Sequence, residues 1–398
     1  MIPFSEAYKV VMSNVFRTKT EKVPLVESLW CILAEDVISD IDMPPFDKSA
    51  MDGYACRLEE LKEELEILET IPAGYTPKKK ITTGKCSKIM TGAMIPQGAN
   101  CVIIVEETEI KRPGKVLFTG ERAQFTKKNA KCNICFKAED IKKGDCLIKK
   151  GIQIKPQHIA VLATAGYSKV TVSAQPSVGI ITTGSELVEP GKKLSQSKIR
   201  NSNGHQLIAQ VLNSGALPSY YGIVKDDEKA ITDTITQALN DNDIVLISGG
   251  VSMGDYDFVP QCLKKNNIQI LFDKVAVQPG KPVNFGIGKN KACFGMPGNP
   301  VSTFMQFELL VKPFLFAMMG SEFKPEIFLL PMGTSFKRHN TTRESIIPVE
   351  LQDGKVYPLE YHGSAHINAI AQTSFVISIP QGVKEIEKGK FVNVRQIQ

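Results

Sequence analysis

Membrane spans, secretion signals and histidine clusters are missing from this sequence of 398 residues. No stretch approaches the roughly 18 consecutive apolar residues of a membrane helix, and the N-terminus lacks a basic region followed by an apolar one. We therefore expect a cytoplasmic protein that does not bind membranes. Among the 5 histidines only His362 and His366 are closely spaced. Their segment is strand-like, so they would not share a helix face, and we interpret them as loop or surface residues.

Two nucleotide-binding motifs are also missing. The sequence contains no G-x-x-x-x-G-K-[ST] loop and no G-x-G-x-x-G after a strand. P-loop hydrolysis of nucleotides and Rossmann-type binding of dinucleotides are therefore disfavoured.

Charge is nearly balanced along the chain. Lysine and arginine number 48 against 42 aspartate and glutamate, which leaves a net charge of +6 without a basic block. Aromatic residues make up 7% and are not interleaved with basic ones as a nucleic-acid groove requires. The composition favours a small anionic ligand, and we expect no nucleic acid as a partner.

The 9 cysteines are an odd, scattered set, which is typical of reduced thiols rather than of a disulfide framework. Cys132, Cys135 and Cys146 are close enough in sequence to begin a zinc site. No second Cys-x-x-Cys or histidine pair lies near them, so unpaired thiols are the preferred interpretation.

The length exceeds the roughly 250–300 residues at which single cores stop growing, so several domains are expected. Helical spacing from Ser5, a capping residue, to Phe16 predicts an N-terminal helix, and a second helix is predicted at Pro156–Gly166. If the two helices pack together, the short strands between them form an insertion. The predicted domains are a discontinuous helical domain (1–42 and 147–175), an inserted small β domain (43–146), an α/β domain (176–322) and a C-terminal β domain resembling a barrel (323–398).

The α/β domain alternates buried strands with amphipathic helices, which predicts a doubly wound, mostly parallel sheet covered on both faces. Its central stretch is Ser248–Asp257, where a strand runs into three glycines and then a helix. Glycines let an anion approach backbone N–H groups at the start of a helix. Two acids follow, Asp255 and Asp257, which suit a divalent cation beside the anion or simply cap the next helix.

Four other loops share the predicted carboxyl edge of the sheet, where ligands bind in such folds. They are Thr182–Glu186, Lys225–Glu228, Gln278–Pro282 and Gly295–Ser302. Each has a structural explanation by itself, and helix capping competes evenly with a functional role at Lys225–Glu228. Together at one edge they indicate a binding site, in which acids suit magnesium and Lys281 suits an oxyanion.

Six of these segments together resemble the molybdopterin molybdenumtransferase family, known as MoeA and in animals as the E domain of gephyrin. The segments are Met43–Ala55, Ile89–Pro96, Ile181–Leu187, Ser248–Asp257, Pro279–Pro282 and Gly295–Ser302. They occur in the family's order over nearly the whole chain, and PPFDKSAMDGYA and SGGVSMGDYDF are specific motifs. The resemblance implies a four-domain subunit, a homodimer, and insertion of molybdate into adenylylated molybdopterin with Mg²⁺, releasing AMP and molybdenum cofactor. It also implies hand-over from the adenylyltransferase and to molybdoenzymes.

The resemblance also assigns roles to residues of this chain. As catalytic acids it implies Asp257, Asp226 and Glu186, with Asp226 and Asp257 as magnesium ligands and Asp255 left to capping. As substrate-binding residues it implies Thr183, Gly184, Ser248, Gly249, Gly250, Ser252, Gly254, Lys281, Pro282, Pro297, Gly298, Asn299, Pro300 and Ser302. Asp52 and Thr91 match family residues that reach the pocket from the β domain of the other subunit.

The sequence departs from the family pattern at two places. Gln278 stands where relatives often carry a first lysine, which weakens a clamp of two lysines on molybdate. Ile346 and Ile347 stand where a second arginine is common, so Arg343 and Ser364 are carried over less firmly.

Two other functions compete with this reading. Adenylyl transfer to molybdopterin uses a related central fold, but that enzyme is usually one compact domain and leaves the flanking segments unexplained. A non-catalytic scaffold of the gephyrin type is the other alternative, and the intact acids argue against it.

Overall fold

A computed structural model describes residues 1–120, 132–251, 258–360, 363 and 365–397. The chain forms two compact units. Unit 1 comprises Met1–Glu35, Lys150–Lys155 and Lys169–Gln398, and unit 2 comprises Asp36–Lys149 and Pro156–Ser168. The finer division into four domains, with a barrel at the C-terminus, stays a prediction.

The α-helices of the described ranges follow in chain order. They are α1 (Phe4–Ser13), α2 (Pro156–Thr164), α3 (Asn203–Asn213), α4 (Glu228–Asp241), α5 (Val259–Lys265), α6 (Pro300–Gln306), α7 (Lys312–Met318) and α8 (Asn368–Ala371). A π-helical turn, Phe307–Val311, joins α6 to α7.

The strands of the described ranges are mostly short. They are β1 (Thr20–Pro24), β2 (Val37–Ile38), β3 (Lys48–Ser49), β4 (Gly53–Cys56), β5 (Leu65–Ile71), β6 (Lys85–Ile89), β7 (Cys101–Ile104), β8 (Thr108–Arg112), β9 (Lys115–Phe118), β10 (Ile134–Cys135), β11 (Cys146–Ile148), β12 (Lys169–Ser173), β13 (Ser177–Thr183), β14 (Leu187–Val188), β15 (Ile199–Arg200), β16 (Leu217–Val224), β17 (Ile244–Ser248), β18 (Gln269–Lys274), β19 (Val277–Gln278), β20 (Pro282–Gly288), β21 (Lys291–Met296), β22 (Ile327–Pro331), β23 (Phe336–Lys337), β24 (Glu344–Gln352), β25 (Lys355–Pro358), β26 (Phe375–Ile379), β27 (Glu385–Ile386) and β28 (Phe391–Gln396).

The main sheet of unit 1 has the strand order β16-β13-β17-β21-β20-β18. The first four strands are parallel, whereas β20 and β18 run antiparallel to their neighbours. In register, Thr182 pairs with Ser248 and Ser248 pairs with Met296. The carboxyl ends of the parallel strands therefore lie level, and β20 starts at the same edge because it runs the other way.

Helices cover both faces of this sheet, as the alternating pattern predicted. Val178 and Ile180 of β13 pack in a core with α1, α3, α6 and α7, while Ile181, one residue on, packs with α4 and α5. Successive side chains of a strand point to opposite faces, so a fully buried strand serves two cores. Burial of each such aliphatic side chain contributes about 2 kcal/mol.

The helical stretch Pro300–Met318 is long and apolar enough to cross a membrane by length and composition. In the fold, 83% of its apolar window is buried inside the protein. Phe314 of α7 packs edge-on against Phe294 of β21, with ring centroids 5.6 Å apart. The stretch is therefore the core helix of the sheet.

The C-terminal part of unit 1 has a second sheet, in the order β19-β24-β26-β28-β22, with β25 paired to β24. Strand β19 pairs with the start of β24, so Gln278 lies beside Ser345. This pairing brings the C-terminal sheet next to the Gln278–Pro282 turn of the α/β part.

Unit 2 is built on a six-stranded sheet in the order β7-β4-β6-β5-β9-β8, with α2 and the pairs β3–β10 and β2–β11. Cys56 and Cys101 face each other on adjacent strands in its core. All nine cysteines of the chain are free thiols.

One detail of the helix prediction is wrong. Helix α1 spans Phe4–Ser13, so Ser5 is its second residue and not its cap. Pro3 occupies the cap position, and its carbonyl oxygen accepts from the N–H groups of Glu6 and Ala7. The helix ends at Ser13, three residues before the predicted end, and Asn14 is its C-terminal cap.

Candidate functional site

A cleft of about 520 Å³, the first cleft, lies at the carboxyl edge of the main sheet. It is lined by Thr183, Gly184, Glu186, Leu187, Ile199, Arg200, Asn201, Ser202, Asn203, Asp226, Ser248, Gly249, Gly250, Val251, Pro282, Pro297, Gly298, Asn299, Pro300 and Ala365. Twelve of the residues predicted from sequence are therefore gathered here. They are Thr183, Gly184, Glu186, Asp226, Ser248, Gly249, Gly250, Pro282, Pro297, Gly298, Asn299 and Pro300.

The glycine loop after β17 is tightly packed against β13. Gly249 has φ +98°, and a Cβ there would lie 2.4 Å from the carbonyl oxygen of Thr183. Gly250 has φ +63° and faces the Thr183 hydroxyl. That hydroxyl is buried and has no hydrogen-bond partner among the described residues. Only glycine fits both the backbone and the space, and the loop leaves an unsatisfied hydroxyl beside the cleft.

Asp226 and Asp227, which follow β16, make different hydrogen bonds. Asp227 caps α4, because its Oδ1 accepts from the N–H of Ala230 at 2.8 Å. Asp226 does not cap that helix. Its Oδ2 accepts from the N–H of Ser185 at 2.8 Å, and the residue lines the cleft. Capping at this loop therefore belongs to Asp227, and a functional role for Asp226 stays a prediction.

Glu186 is exposed and lines the same cleft as Asp226. Gly184 makes room for it, since a Cβ at Gly184 would lie 2.7 Å from Glu186 Oε2. Two carboxylates from the loops after β13 and β16 therefore border one cavity.

Eight lining residues were missed from sequence: Leu187, Ile199, Arg200, Asn201, Ser202, Asn203, Val251 and Ala365. Asn201 precedes Ser202, the cap residue of α3, and its Oδ1 accepts from the N–H of Gly204 in the first turn at 3.0 Å. Asn203 donates to the Ser248 hydroxyl and to the Gly298 carbonyl oxygen, each at 2.8 Å. The run of polar capping residues before an apolar helix was the signal that could have found Asn201, Ser202 and Asn203.

Asn201 also belongs to a polar network behind the first cleft. Its Nδ2 donates to the Tyr220 hydroxyl at 2.7 Å, which in turn donates to Glu189 at 2.6 Å. Burial and the neighbouring Glu189 raise the pKa of Tyr220 to about 12. Partial burial works against ionisation of Glu189, but hydrogen bonds from Tyr220 and His205 lower its pKa overall.

A second cleft of about 500 Å³ shares Pro282, Pro297, Gly298 and Asn299 with the first. Its other lining residues are Gln278, Pro279, Gly280, Lys281, Ser302, Arg343 and Gly363. The predicted substrate-binding residues Lys281, Ser302 and Arg343 are thus together, on the far side of the shared residues Pro282, Pro297, Gly298 and Asn299. Two cations and a hydroxyl at the start of α6 suit an oxyanion.

The turn that carries Lys281 is held by a hydrogen bond from α6. Gly280 has φ +106°, and its carbonyl oxygen accepts from Gln306 Nε2 at 2.8 Å. On the other side of the cleft, Arg343 donates to Gln278 Oε1 at 3.3 Å. Gln278 therefore replaces the expected lysine with a neutral partner for the arginine.

Arg343 is also held through its backbone. The buried guanidinium of Arg338 donates to the carbonyl oxygen of Arg343 at 2.8 Å and to the Ser345 hydroxyl. Burial lowers the pKa of Arg338. Ile346, which stands where a second arginine is common, is buried in the core.

Asp52 and Thr91 lie together in unit 2. Asp52 Oδ1 accepts from both the backbone N–H and the hydroxyl of Thr91, at 2.6 and 2.7 Å. These hydrogen bonds lower the pKa of Asp52. Both side chains are exposed, so the paired carboxylate and hydroxyl are presented on the surface of the unit.

Five predicted residues lie outside the described residues. They are Ser252, Gly254, Asp255, Asp257 and Ser364. His362 lies outside them as well. Within the described ranges, no group of three or more His, Cys, Asp or Glu side chains is arranged to hold a metal ion.

The fold and the first cleft define a class of protein. Residues 179–317, which contain the main sheet and its edge loops, match the family model described as a probable molybdopterin binding domain. Residues 2–166 match the MoeA N-terminal region (domain I and II), and residues 330–397 match the MoeA C-terminal region (domain IV).

Whole proteins agree with these matches. The chain is 36% identical over 406 aligned positions to a molybdopterin molybdenumtransferase of Staphylococcus epidermidis, covering 99% of this chain and 95% of the relative. It is 34% identical to the Bacillus subtilis protein of the same name, covering 100% and 94%. The crystal structure of the molybdopterin biosynthesis protein MoeA from Pyrococcus horikoshii OT3 superposes over 100% of both chains, with a TM-score of 0.85 and 33% identity. The chain belongs to the MoeA family of molybdopterin molybdenumtransferases, and the fold class predicted from sequence is confirmed.

Proposed function

We propose that this enzyme inserts molybdate into adenylylated molybdopterin and releases AMP and molybdenum cofactor. The names of the full-length relatives and the match to a molybdopterin-binding domain support this assignment. The observation that carries it is the pair of adjoining clefts. Glu186, Asp226 and Arg200 line the first, Lys281 and Arg343 line the second, and the two clefts share Pro282, Pro297, Gly298 and Asn299.

That arrangement fits the electrostatic problem of the reaction. A pyrophosphate and molybdate are both anions, and they must be brought close together. The second cleft offers Lys281, Arg343 and the Ser302 hydroxyl to the oxyanion. Fixed donors that need no reorganisation stabilise such charge efficiently. The glycine loop after β17 offers the first cleft an open backbone for the pyrophosphate.

The first cleft also fits a magnesium ion. Asp226 and Glu186 bring carboxylate oxygens to the lining, which Mg²⁺ prefers. Magnesium usually takes only one or two carboxylates and completes its shell with water and substrate phosphates. We assign Asp226 as a ligand, with Asp257 as the second one predicted from the motif. When bound, the ion would neutralise charge on the pyrophosphate.

The test is a matched pair of neighbouring aspartates. In Asp226→Asn the carboxylate at the cleft is lost, and we expect AMP release to fall by roughly 100-fold or more. In Asp227→Asn the helix cap is kept, because asparagine caps as well as aspartate, and turnover should stay near that of the wild type. AMP is measured by chromatography and cofactor by reconstitution of a cofactor-free molybdoenzyme. Equal turnover of both variants and the wild type would remove the assignment of Asp226.

The two alternative functions make different predictions. An adenylyltransferase would consume ATP and molybdopterin, whereas the proposed reaction consumes the adenylylated product and molybdate. The match of the whole chain to molybdenumtransferases supports molybdate insertion over adenylyl transfer. A scaffold would show no affinity for adenylylated molybdopterin, so an equilibrium binding measurement separates it from both enzymes.

We further propose a homodimer in which Asp52 and Thr91 complete the site of the other subunit. The exposed, preformed Asp52–Thr91 pair supports this role. We place the protein in the cytoplasm, where it would receive substrate from the adenylyltransferase and pass cofactor to molybdoenzymes. The nine free thiols fit a reducing compartment.

A further inference from the structure

Four cysteines of unit 2 come together in its core, and we call them the thiol cluster. Cys56 lies on β4, Cys101 faces it from β7, and the register of β4 with β6 leads to Cys86 beside it on the other side. Residues opposite one another on neighbouring strands point to the same face, so these three thiols form a row in one hydrophobic core. Cys132, from the segment before β10, packs against that core and completes the cluster.

The members of the cluster differ in exposure and in acidity. Cys56, Cys86 and Cys101 are 0% exposed, whereas Cys132 is half-buried. Hydrogen bonding from Cys56 lowers the pKa of Cys101 against the opposing effect of burial, and hydrogen bonding from Cys132 adds to this lowering. Burial raises the pKa of Cys132. Cys132 is therefore the member that a reagent can reach, and Cys101, in contact with it, is the one that ionises more readily.

These contacts fit a reaction between thiols better than metal binding. In the part of the chain that the structure describes, no group of three or more His, Cys, Asp or Glu side chains is arranged to hold a metal ion. Thiols in hydrogen-bonding contact are close enough to be joined by a disulfide. Exchange with a small disulfide starts at an accessible sulfur and is completed by a neighbouring thiol, and Cys132 and Cys101 meet these two requirements.

We propose that Cys132 and Cys101 form a modification site for low-molecular-weight disulfides. In the first step the sulfur of Cys132 bonds to one sulfur of the small disulfide, whose S–S bond breaks, and one small thiol leaves with the proton of Cys132. In the second step the sulfur of Cys101 bonds to that of Cys132, the mixed disulfide breaks, and a second small thiol leaves with the proton of Cys101. Two protein thiols are oxidised to one disulfide, and the small disulfide is reduced to two thiols.

The segment that carries Cys132 also holds the loop before Asp52. The N–H of Ala50 donates to the carbonyl oxygen of Asn133 at 2.9 Å, and β10 pairs directly with β3. Cys132 and Asn133 have φ +46° and +56°, a conformation that side chains disfavour. Bonded sulfur atoms lie closer together than hydrogen-bonded thiols, so a disulfide draws this turn toward Cys101 and away from its contact with Ala50.

Oxidation should therefore disturb the exposed pair of Asp52 and Thr91 and lower turnover. This consequence, unlike the modification itself, rests on the proposed role of Asp52 in the site. Disulfides in a reducing compartment are usually transient, and an excess of small thiol reverses the exchange. The thiol cluster thus makes the enzyme reversibly sensitive to oxidised small thiols.

The first experiment maps the disulfide and needs no substrate. The full-length protein is incubated with hydroxyethyl disulfide in mildly alkaline buffer, remaining thiols are alkylated, and unreduced peptides are analysed by mass spectrometry. We expect one intramolecular bridge, between Cys101 and Cys132. Cys135, also half-buried, provides the matched control, because Cys135→Ser should keep the bridge and Cys132→Ser should lose it. A different bridge, or none in the wild type, would overturn the assignment, whether or not the variants fold.

The second experiment follows the effect on the loop before Asp52. Amide hydrogen exchange in the peptide that contains Ala50 should rise about tenfold or more on oxidation of the wild type and of Cys135→Ser. Exchange in Cys132→Ser should not change, and dithiothreitol should restore the wild type. Unchanged exchange in the bridged protein would remove the connection between the thiol cluster and this loop.

Turnover separates the modification from the function beneath it. AMP release by the bridged wild type should fall about tenfold or more and recover with dithiothreitol. If the reduced wild type releases no AMP from adenylylated molybdopterin, the proposed function fails, and the peptide map and hydrogen exchange still decide the thiol site. If reduced and bridged enzyme turn over equally, the proposed function stands and the effect of oxidation on it is refuted.

Discussion

The side-chain amide of Asn203 donates a hydrogen bond to the hydroxyl of Ser248 at 2.8 Å. The same nitrogen donates to the carbonyl oxygen of Gly298, also at 2.8 Å. Ser248 begins the glycine loop of the first cleft, and Gly298 is shared with the second cleft. A single buried amide therefore sets the spacing between the two halves of the site. It also shows that the Ser248 hydroxyl, predicted to bind substrate, is engaged within the protein.

Removing that amide should lower turnover as well as stability. Asn203→Ala and Gln210→Ala both delete an amide on α3 that is 7% exposed, and each should cost about 1–3 kcal/mol of unfolding free energy. Gln210 donates to Glu308 at 3.0 Å, away from the clefts. Because small displacements in a site are costly, only Asn203→Ala should lower kcat, by roughly tenfold or more. Urea titrations and single-turnover assays provide the two measurements. Equal kcat in both variants would show that Asn203 is merely structural.

Gly249 should be intolerant of any side chain. An added Cβ would meet the Thr183 carbonyl oxygen at 2.4 Å in a backbone of positive φ, so Gly249→Ala should lose roughly 3 kcal/mol or more of unfolding free energy. Gly191 is the control. It has φ +87° with no neighbouring atom within 4 Å, so Gly191→Ala should lose only about 1 kcal/mol. Similar losses in both variants would mean that the loop moves away from Thr183 at little cost.

The Tyr220–Glu189 pair should make the fold sensitive to alkaline pH. The folded pKa of Tyr220 is about 12, above the roughly 10 of an unfolded tyrosine. A raised pKa means that the fold favours the neutral phenol. This contribution to stability is complete below pH about 10 and is lost as the pH rises through about 12.

The measurement compares urea unfolding across that pH window in the wild type and in Tyr220→Phe. The variant should be less stable at neutral pH, because Glu189 loses its 2.6 Å hydrogen bond, and its stability should decline less between pH about 10 and 12. In Glu189→Gln the absorbance of tyrosinate should show Tyr220 ionising at lower pH. Parallel pH profiles for Tyr220→Phe and the wild type would contradict the prediction.

A shared site between subunits predicts complementation. Asp52→Asn and Asp226→Asn should each be inactive alone. After unfolding and refolding as an equal mixture, half of the dimers are mixed, and each of these has one intact site of two, so activity should return to about a quarter of wild type. Mixing Asp226→Asn with Glu186→Gln should restore nothing, because both residues border the first cleft of one subunit. No recovery in the first mixture would place Asp52 outside the site.

The carboxyl-edge loops were predictable because parallel strands and short motifs are local properties. A strand such as Ile244–Ser248 followed by two glycines has few structural alternatives, and the sheet fixes where its end lies. Asp226 and Asp227 show the limit of this reasoning. Both follow a strand and precede a helix, and only the position of Ser185, 41 residues away in sequence, distinguishes the one that faces the cleft.

The residues that brace the site were not predictable in the same way. Gln306 supports Gly280 from 26 residues away, and Arg338 holds segments up to 45 residues distant. Neither makes a motif, because each contact depends on tertiary packing. For Asn201 and Asn203, the sequence shows polar residues before a helix, but it does not show that they line the cleft. Ser5 was misassigned because proline can begin a helix without a side-chain cap.

The residues common to both clefts are Pro282, Pro297, Gly298 and Asn299, and none of these side chains titrates. The two clefts therefore share backbone and uncharged side chains, and no charged side chain belongs to both linings. A substitution at Gln278 or Arg343 changes the second cleft without replacing any residue of the first.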